Sequence, residues 1–248
     1  NFVFNSIPMV SYRRILLKLS GEALASDDQN IDPKMLKKVV NIVQSALDLG
    51  VEIAIVIGGG NIYRGANLAD NGMNKITGDH IGMLATVMNA LAISDAFDTH
   101  KIPSQVMSGF PIGGGVCDTF DHKKANKALA KGKVLILSAG TGSPCFTTDT
   151  AAALRAIEIS ADIVFKATKV DGIYSNDPHL DSNAIKFDSI SFNSAIKKNL
   201  KIMDTAAFTL CKENNIKICV FSMFEDNYTL ANILNGHSVG TIVSENGE

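Results

Sequence analysis

Ile55-Val56-Ile57-Gly58-Gly59-Gly60-Asn61-Ile62-Tyr63-Arg64-Gly65 is an apolar strand that runs straight into three glycines and then an arginine. Three consecutive residues without a Cβ let the backbone fold close around a ligand, with N–H groups free to face anionic oxygens. Arg64, four residues past the last glycine, adds a planar and permanently charged fork suited to phosphate. Glycine runs after strands are also ordinary turns, so this one takes its meaning from what surrounds it.

Around it, apolar runs of strand length alternate with segments of helical period, the pattern of a parallel sheet with crossover helices. Ile15 to Leu19 reads as the first strand and Val51 to Ile57 as the second. Between them Asp32-Pro33 supplies a helix N-cap and first-turn proline. Met35, Leu36, Val39, Val40, Val43, Ala46 and Leu47 then mark one face until Gly50. A second helix is expected from about Asp79 to Phe97, with Ile81, Leu84, Ala85, Met88, Leu91 and Ala92 on its buried side. Strands near Ser104 to Met107, Val134 to Leu137 and Ile163 to Ala167 follow, separated by a basic helix (Lys123 to Ala130) and a helix over Asp149 to Ile159. Beyond Asp171 turn residues predominate. Short helices near Ser191 to Lys198 and Thr205 to Asn214 precede strands at Ile218 to Phe221 and Gly240 to Val243. No linker or repeat divides the chain, so one continuous α/β/α domain is expected over residues 9–248, with Met9 read as the native start and residues 1–8 as an addition ahead of it.

Composition narrows the function classes. The 248 residues carry a net charge of -2, which gives no whole-protein positive field for nucleic acid or an anionic membrane. Any bound anion must be met locally. Cys117, Cys145, Cys211 and Cys219 form no C-x-x-C pair and read as reduced thiols of a cytoplasmic protein, with no structural metal. The apolar run Ile81 to Ile93 is broken by Gly82, Thr86 and Asn89, short of the ~18–20 residues of a membrane span.

In open α/β sheets ligands gather at the carboxyl ends of the strands. Strand one ends in Lys18-Leu19-Ser20-Gly21 and strand two in the glycine triplet. The strand at Leu137 runs into Ser138-Ala139-Gly140-Thr141-Gly142-Ser143-Pro144 and then Thr147-Thr148-Asp149. The strand at Ala167 runs into Thr168-Lys169-Val170-Asp171-Gly172-Ile173-Tyr174, with Asp177-Pro178 beyond. Singly, Lys18 reads as an exposed strand-end lysine, Asp149 as a helix cap and Asp171-Gly172 as a turn. Together, cations, glycine turns and hydroxyl-bearing helix starts at one sheet edge are the parts that bind phosphates and neutralise charge in phosphoryl transfer. No G-x-x-x-x-G-K-[ST] or G-x-G-x-x-G register occurs, which disfavours a P-loop kinase and an ordinary dinucleotide fold.

Lys18 to Leu24, Gly58-Gly59-Gly60-Asn61 with Arg64-Gly65, Gly78-Asp79-His80-Ile81-Gly82-Met83, Gly140 to Asp149 and Ala167 to Gly172 together resemble the bacterial uridylate (UMP) kinases, of the amino-acid kinase fold. The resemblance spans roughly Arg14 to Val243 and implies a three-layer α/β/α sandwich with a largely parallel central sheet. It also implies transfer of the ATP γ-phosphate to UMP, giving UDP and ADP in pyrimidine biosynthesis. By residue-for-residue correspondence, ATP contacts Lys18, Leu19, Ser20, Gly21, Gly60, Arg64, Thr168, Tyr174 and Asp177. UMP contacts Gly59, Asp79, Thr141, Gly142, Ser143, Pro144, Cys145, Phe146, Thr147 and Thr148. Lys18, Arg64 and Asp149 are the expected catalytic residues, and Mg2+ is expected with ATP rather than in a protein cage. The resemblance further implies a homohexamer with GTP as activator and UTP as inhibitor. Asp204, in Met203-Asp204-Thr205-Ala206-Ala207, also matches the family without an assigned role. The nearest rivals are a kinase of the same fold with a carboxylate or carbamate acceptor, and a non-catalytic nucleotide sensor.

Overall fold

The structure is a computed structural model that describes residues 10–63, 72–178, 180–223 and 229–247; residues 1–9 and the Arg64-Gly65 pair lie outside the described residues. Its centre is a nine-stranded sheet. Strands β1 (Arg14–Leu19), β2 (Glu52–Ile57), β3 (Ser104–Ser108), β4 (Asp118–Thr119), β5 (Val134–Ser138), β6 (Ile163–Thr168), β9 (Ser189–Ser191), β10 (Lys217–Ser222) and β11 (Thr241–Ser244) stand in the order β4-β3-β5-β2-β1-β6-β10-β11-β9. Every neighbouring pair is parallel except β10 with β11. A separate two-stranded hairpin pairs β7 (Ile173–Tyr174) with β8 (Lys186–Phe187).

The central strands are buried on both faces and read as continuous apolar runs. Alternate residues separate two cores. Ile15, Leu17, Leu19, Ile53, Ile55 and Ile57 pack with α1 (Pro33–Leu47), α2 (Lys75–Thr99) and the short α7 (Thr229–Leu234). Leu16, Ala54, Val56, Leu135 and Leu137 pack with α3 (His122–Leu129), α4 (Thr148–Glu158), α5 (Phe192–Lys197) and α6 (Thr205–Glu213). The α/β/α architecture expected from the sequence is therefore present, and one sheet serves both halves of the chain. The short strands β4, β7, β8 and β9 and helix α7 carried too few residues for a period to show.

Helix α2 departs from the sequence expectation twice. It begins at Lys75 rather than at Asp79, because Asn74 caps it by accepting from the Ile76 and Thr77 amides. Asp79 consequently lies inside the helix. The glycines at 78 and 82 weaken helix propensity, and the Tyr63 side chain lies beside both, at distances a Cβ would meet in ordinary contact. The second departure concerns the buried face: of the residues expected inside, Leu84, Met88 and Leu91 are 48%, 54% and 38% exposed. The helix instead buries Ala85, Asn89, Ala90, Ile93 and Phe97. By length and composition α2 is apolar enough to cross a membrane, contrary to the sequence reading, yet here it lies along β3 and β5 as a layer helix.

The most buried polar residue of α2 fixes the glycine loop. Asn89 is fully buried, and its Nδ2 donates to the Gly58 carbonyl at 2.7 Å and to Asn61 Oδ1 at 2.7 Å. The Asn61 amide returns the bond to Asn89 Oδ1 at 3.0 Å and reaches the Asn30 carbonyl at 2.6 Å. Replacing Asn89 with leucine strands the Gly58 carbonyl and half of the Asn61 amide. Chemical denaturation of Asn89→Leu is expected to show a stability loss of about 1–3 kcal/mol, and an unchanged midpoint would mean that the loop holds itself.

Candidate active site

Lys18 on β1 stands opposite Lys166 on β6 in the parallel register. The alternation that sends Leu17 and Leu19 into one core sends Lys18 to the other side with Leu16. On β6, Phe165 and Ala167 share the first core while Val164 enters the second, so Lys166 emerges beside Lys18. Two ammonium groups on adjacent strands repel each other. Asp149, in the first turn of α4, resolves the conflict: its Oδ1 lies 2.8 Å from Lys18 Nζ and its Oδ2 2.7 Å from Lys166 Nζ. Lys166 also donates to the Ile202 carbonyl at 2.6 Å. The Asp149 Oδ1 atom is buried, and the Lys18 ammonium is its partner.

Burial opposes ionisation of Asp149, yet the Lys18 and Lys166 charges outweigh it and hold the carboxyl below the usual carboxylate range. Burial pulls Lys166 below an ordinary lysine, with Lys18 adding to the fall and Asp149 opposing it. The cluster carries one surplus positive charge, largely shielded from water, at the carboxyl edge of the sheet.

Two cavities open near this cluster: Lys166 lines one and Thr148, next to Asp149, lines the other, while Lys18, expected at ATP, and Asp149 line neither. One, of about 450 Å³, is lined by Gly59, Gly60, Tyr63, Asp79, Gly140, Phe146, Thr147 and Thr148, among others. Gly59 needs its hydrogen here, since a Cβ would come within 2.7 Å of the Gly82 carbonyl oxygen and 2.9 Å of the Ala85 Cβ. Gly60, expected beside ATP, lines this same cavity as Gly59. The cavity wall from 139 to 148 is pinned from several sides. Thr86 Oγ1 accepts from the Ala139 amide at 2.6 Å, and Asp79 Oδ2 accepts from the Cys145 amide at 2.7 Å. Ala139 and Cys145 hold φ values of 56° and 70°, a left-handed conformation that costs a residue with a side chain and is sustained by such anchors. Of the residues expected at UMP, Thr141, Gly142, Ser143, Pro144 and Cys145 belong to this loop without lining the cavity.

The other cavity, of about 590 Å³, is lined by Lys166, Thr168, Tyr174 and Asp177, and by Lys198 to Ile202 on the far side. Tyr174 donates to Asp171 Oδ1 at 2.6 Å and Lys186 to Asp171 Oδ2 at 2.7 Å, which ties the β7–β8 hairpin to the segment just before it. Leu19 and Gly21, expected at ATP, are buried, and Gly21 packs under the loop at Gly58 and Gly60. Ser20 caps no helix with its side chain. Arg64 falls outside the described residues.

Three functional candidates escaped the sequence reading or were left without a role. Lys166 repeats on β6 the placement of Lys18 on β1, and the matching strings Leu16-Leu17-Lys18 and Val164-Phe165-Lys166 were the available signal. Lys198 to Ile202 carried none, being brought to the cavity by tertiary packing. Asp204 caps α6 by accepting from the Ala207 amide at 3.0 Å. It also accepts from the hydroxyls of Thr147 and Thr150, where Thr147 in turn caps α4. Asp204 thus positions the start of α4, and with it Asp149; Asp149 is not that helix's cap.

The sequence profile of the amino acid kinase family covers residues 13–222. The chain belongs to the amino acid kinase family. Within it, the chain is 65% identical to the uridylate kinase of Ruthia magnifica subsp. Calyptogena magnifica over 235 residues, 95% of this chain and 98% of that one. It is 50% identical to the uridylate kinase of Xanthomonas campestris pv. campestris, over 94% of this chain and 97% of the relative. The UMP kinase structure from Bacillus anthracis superposes with a TM-score of 0.91 at 32% identity, covering 94% of this chain and 96% of that one. That from Ureaplasma parvum gives 0.88 at 34% identity, covering 94% and 99%.

The Asp149 cluster makes a pH prediction for this member of the amino acid kinase family. A carboxyl whose folded pKa lies below its unfolded value of 3.8 stabilises the fold fully above that value and loses the contribution as pH falls through the folded pKa. The stability difference between the wild type and Asp149→Asn is therefore expected to be level from pH 7 to about 5 and to shrink below about 4. Urea midpoints across that range check it, and a difference that grows on acidification would contradict the assignment.

Proposed function

We propose that the protein is a UMP kinase that transfers the ATP γ-phosphate to UMP, yielding UDP and ADP in pyrimidine nucleotide biosynthesis. The observation that carries this reading is the Lys18–Asp149–Lys166 cluster at the carboxyl edge of the sheet, with Lys166 lining one cavity of nucleotide size and Thr148, next to Asp149, lining another. The 590 Å³ cavity beside Lys166, Thr168, Tyr174 and Asp177 is taken as the ATP site, and the 450 Å³ cavity beside Gly59, Asp79 and Thr148 as the UMP site. In the transfer, a UMP phosphate oxygen forms a bond to Pγ while the bond from Pγ to the β,γ-bridging oxygen breaks, and ADP leaves with that electron pair.

Lys18 and Lys166 stabilise the charge spread over the transferring group, and Asp149 holds the two ammonium groups at fixed separation so that no reorganisation is needed when charge develops. Arg64 is assigned a third cationic contact. Asp79, ionised and acceptor-only, holds the acceptor loop through the Cys145 amide and keeps a second oxygen for a ribose hydroxyl. Among the described residues no side chain is a nucleophile activated by an adjacent base, in keeping with direct transfer.

Mg2+ fits as a companion of the ATP phosphates. Among the described residues no three metal-ligating side chains converge; Asp149 is the carboxylate of the cluster and would share the ion with the phosphates, in exchange for part of its pairing to Lys18 and Lys166. When bound, the ion neutralises phosphate charge. We extend the reading to a homohexamer, supported by the exposed apolar stripe Leu84, Met88 and Leu91 on α2. GTP activation, UTP inhibition, a cytoplasmic location consistent with four unbridged cysteines, and a single domain over residues 9–248 complete it.

ADP production with Mg2+ should depend on UMP and be absent with glutamate derivatives, aspartate or carbamate. Turnover on one of those acceptors but not on UMP would refute the reading, and binding of both nucleotides without UDP would make the protein a sensor. Lys18→Ala is expected to lower kcat by about 10²-fold or more while the UMP dissociation constant stays within a few-fold. Because Lys166 loses its proton below the ordinary lysine value of 10.5, kcat should fall on the alkaline side earlier than an unperturbed lysine would allow. An alkaline limb unchanged in Lys166→Ala would remove that residue from the mechanism.

A further inference from the structure

Asp171 and Lys186 do not line the 590 Å³ cavity, but both are joined to Tyr174, which does. Tyr174 and Lys186 stand directly opposite each other across the β7–β8 ladder, so their side chains leave the same face of the hairpin. Both end on one carboxylate. The Tyr174 hydroxyl donates to Asp171 Oδ1 at 2.6 Å, and Lys186 Nζ donates to Asp171 Oδ2 at 2.7 Å. Burial works against the charge on Asp171, yet the bonds from Lys186 and Tyr174 outweigh it and hold the carboxyl below the usual carboxylate range. Gly172 leaves room for the lysine to cross, since a Cβ there would come within 2.7 Å of Lys186 Cε.

A hairpin with two residues in each strand has too short a ladder to fix its own place. Thr241, at the start of β11, holds its backbone: Oγ1 accepts from the Ile173 amide at 2.8 Å and donates to the Phe187 carbonyl. The Tyr174 side chain is set separately, by Asp171 and Lys186. We propose that Asp171 and Lys186 are positioning residues for the donor nucleotide, which hold the Tyr174 ring in place as a wall of its cavity before the nucleotide arrives. An aromatic face suits the base and ribose of a nucleoside triphosphate rather than its phosphates. A hydroxyl bonded to an ionised carboxylate is a strong tie, and a ring already ordered loses little freedom on binding. Removal of either partner loosens a wall of the donor cavity. The acceptor cavity is lined by none of these three residues and should keep its affinity.

The proposal rests on the reading of the 590 Å³ cavity as the ATP site, and Tyr174→Ala tests that reading by itself. Its dissociation constant for Mg-ATP, measured by calorimetry without UMP, should rise on the order of tenfold. Unchanged binding would defeat the reading and the proposal with it. Asp171→Asn, and Lys186→Met with its apolar stem retained, should each raise the Mg-ATP dissociation constant and KM for ATP about three- to tenfold, with KM for UMP within about twofold. Tyr174→Phe should show a rise of the same size, and adding Asp171→Asn to it should weaken binding no further, because Asp171 acts through the hydroxyl. Where Asp171→Asn does not fold, Lys186→Met takes its place in both comparisons. Weakened ATP binding in Tyr174→Ala but in neither Asp171→Asn nor Lys186→Met would leave the ATP site where it is read and overturn the proposal. Additive effects in the double variant, or an equal rise of both KM values, would make the pair a purely structural tie and overturn it as well.

Discussion

Everything at the carboxyl edge of the sheet depends on one carboxylate placed between two ammonium groups. β1 and β6 must be adjacent for the sheet to close its core, and both bring a lysine to the same face at the same level. Without Asp149 the two charges would push their strands apart or lose a proton. With it, the pair is held at 2.8 and 2.7 Å from a single side chain, and a net positive charge remains for phosphate. The carboxylate depends in its turn on the start of α4, which Thr147 caps and Asp204 braces from α6.

Much of this was legible in the chain because the relevant signals are local. Asp32-Pro33 opened α1 as expected, accepting from the Lys34 amide at 2.7 Å, and the apolar runs placed the central strands to within a residue or two. Lys18, Asp149, Thr168, Tyr174 and Asp177 were all singled out by looking at strand ends and the segments that follow them. What stayed hidden is what depends on distant packing. Lys166 sits inside its strand, as Lys18 does, but ahead of the stretch from Thr168 onward that drew attention on β6, and only pairing with β1 gives it a role. The face of α2 was misjudged because apolar residues cover both of its sides, so no period could say which side meets the sheet.

The glycine triplet illustrates the same limit. In sequence it reads as a phosphate cradle. In the structure Gly59 and Gly21 owe their missing side chains first to the close approach of the backbone segments around them, with Gly59 against α2 and Gly21 against the triplet itself. That packing is what lets the loop wall a cavity at all, so the geometric need and the proposed ligand contact fall on the same residues.

The placement of Lys18 and Lys166 also bears on how the chain finds its fold. Strand side chains alternate, so a slip of β1 by one residue would turn Lys18 into the layer now filled by Leu17, Leu19 and Phe165, far from any carboxylate. An unpaired ammonium there costs several kcal/mol. Strands this uniformly aliphatic have little else to tell one alignment from the next. The two lysines that the catalytic reading makes useful are therefore also the marks by which a misaligned sheet would be rejected during folding.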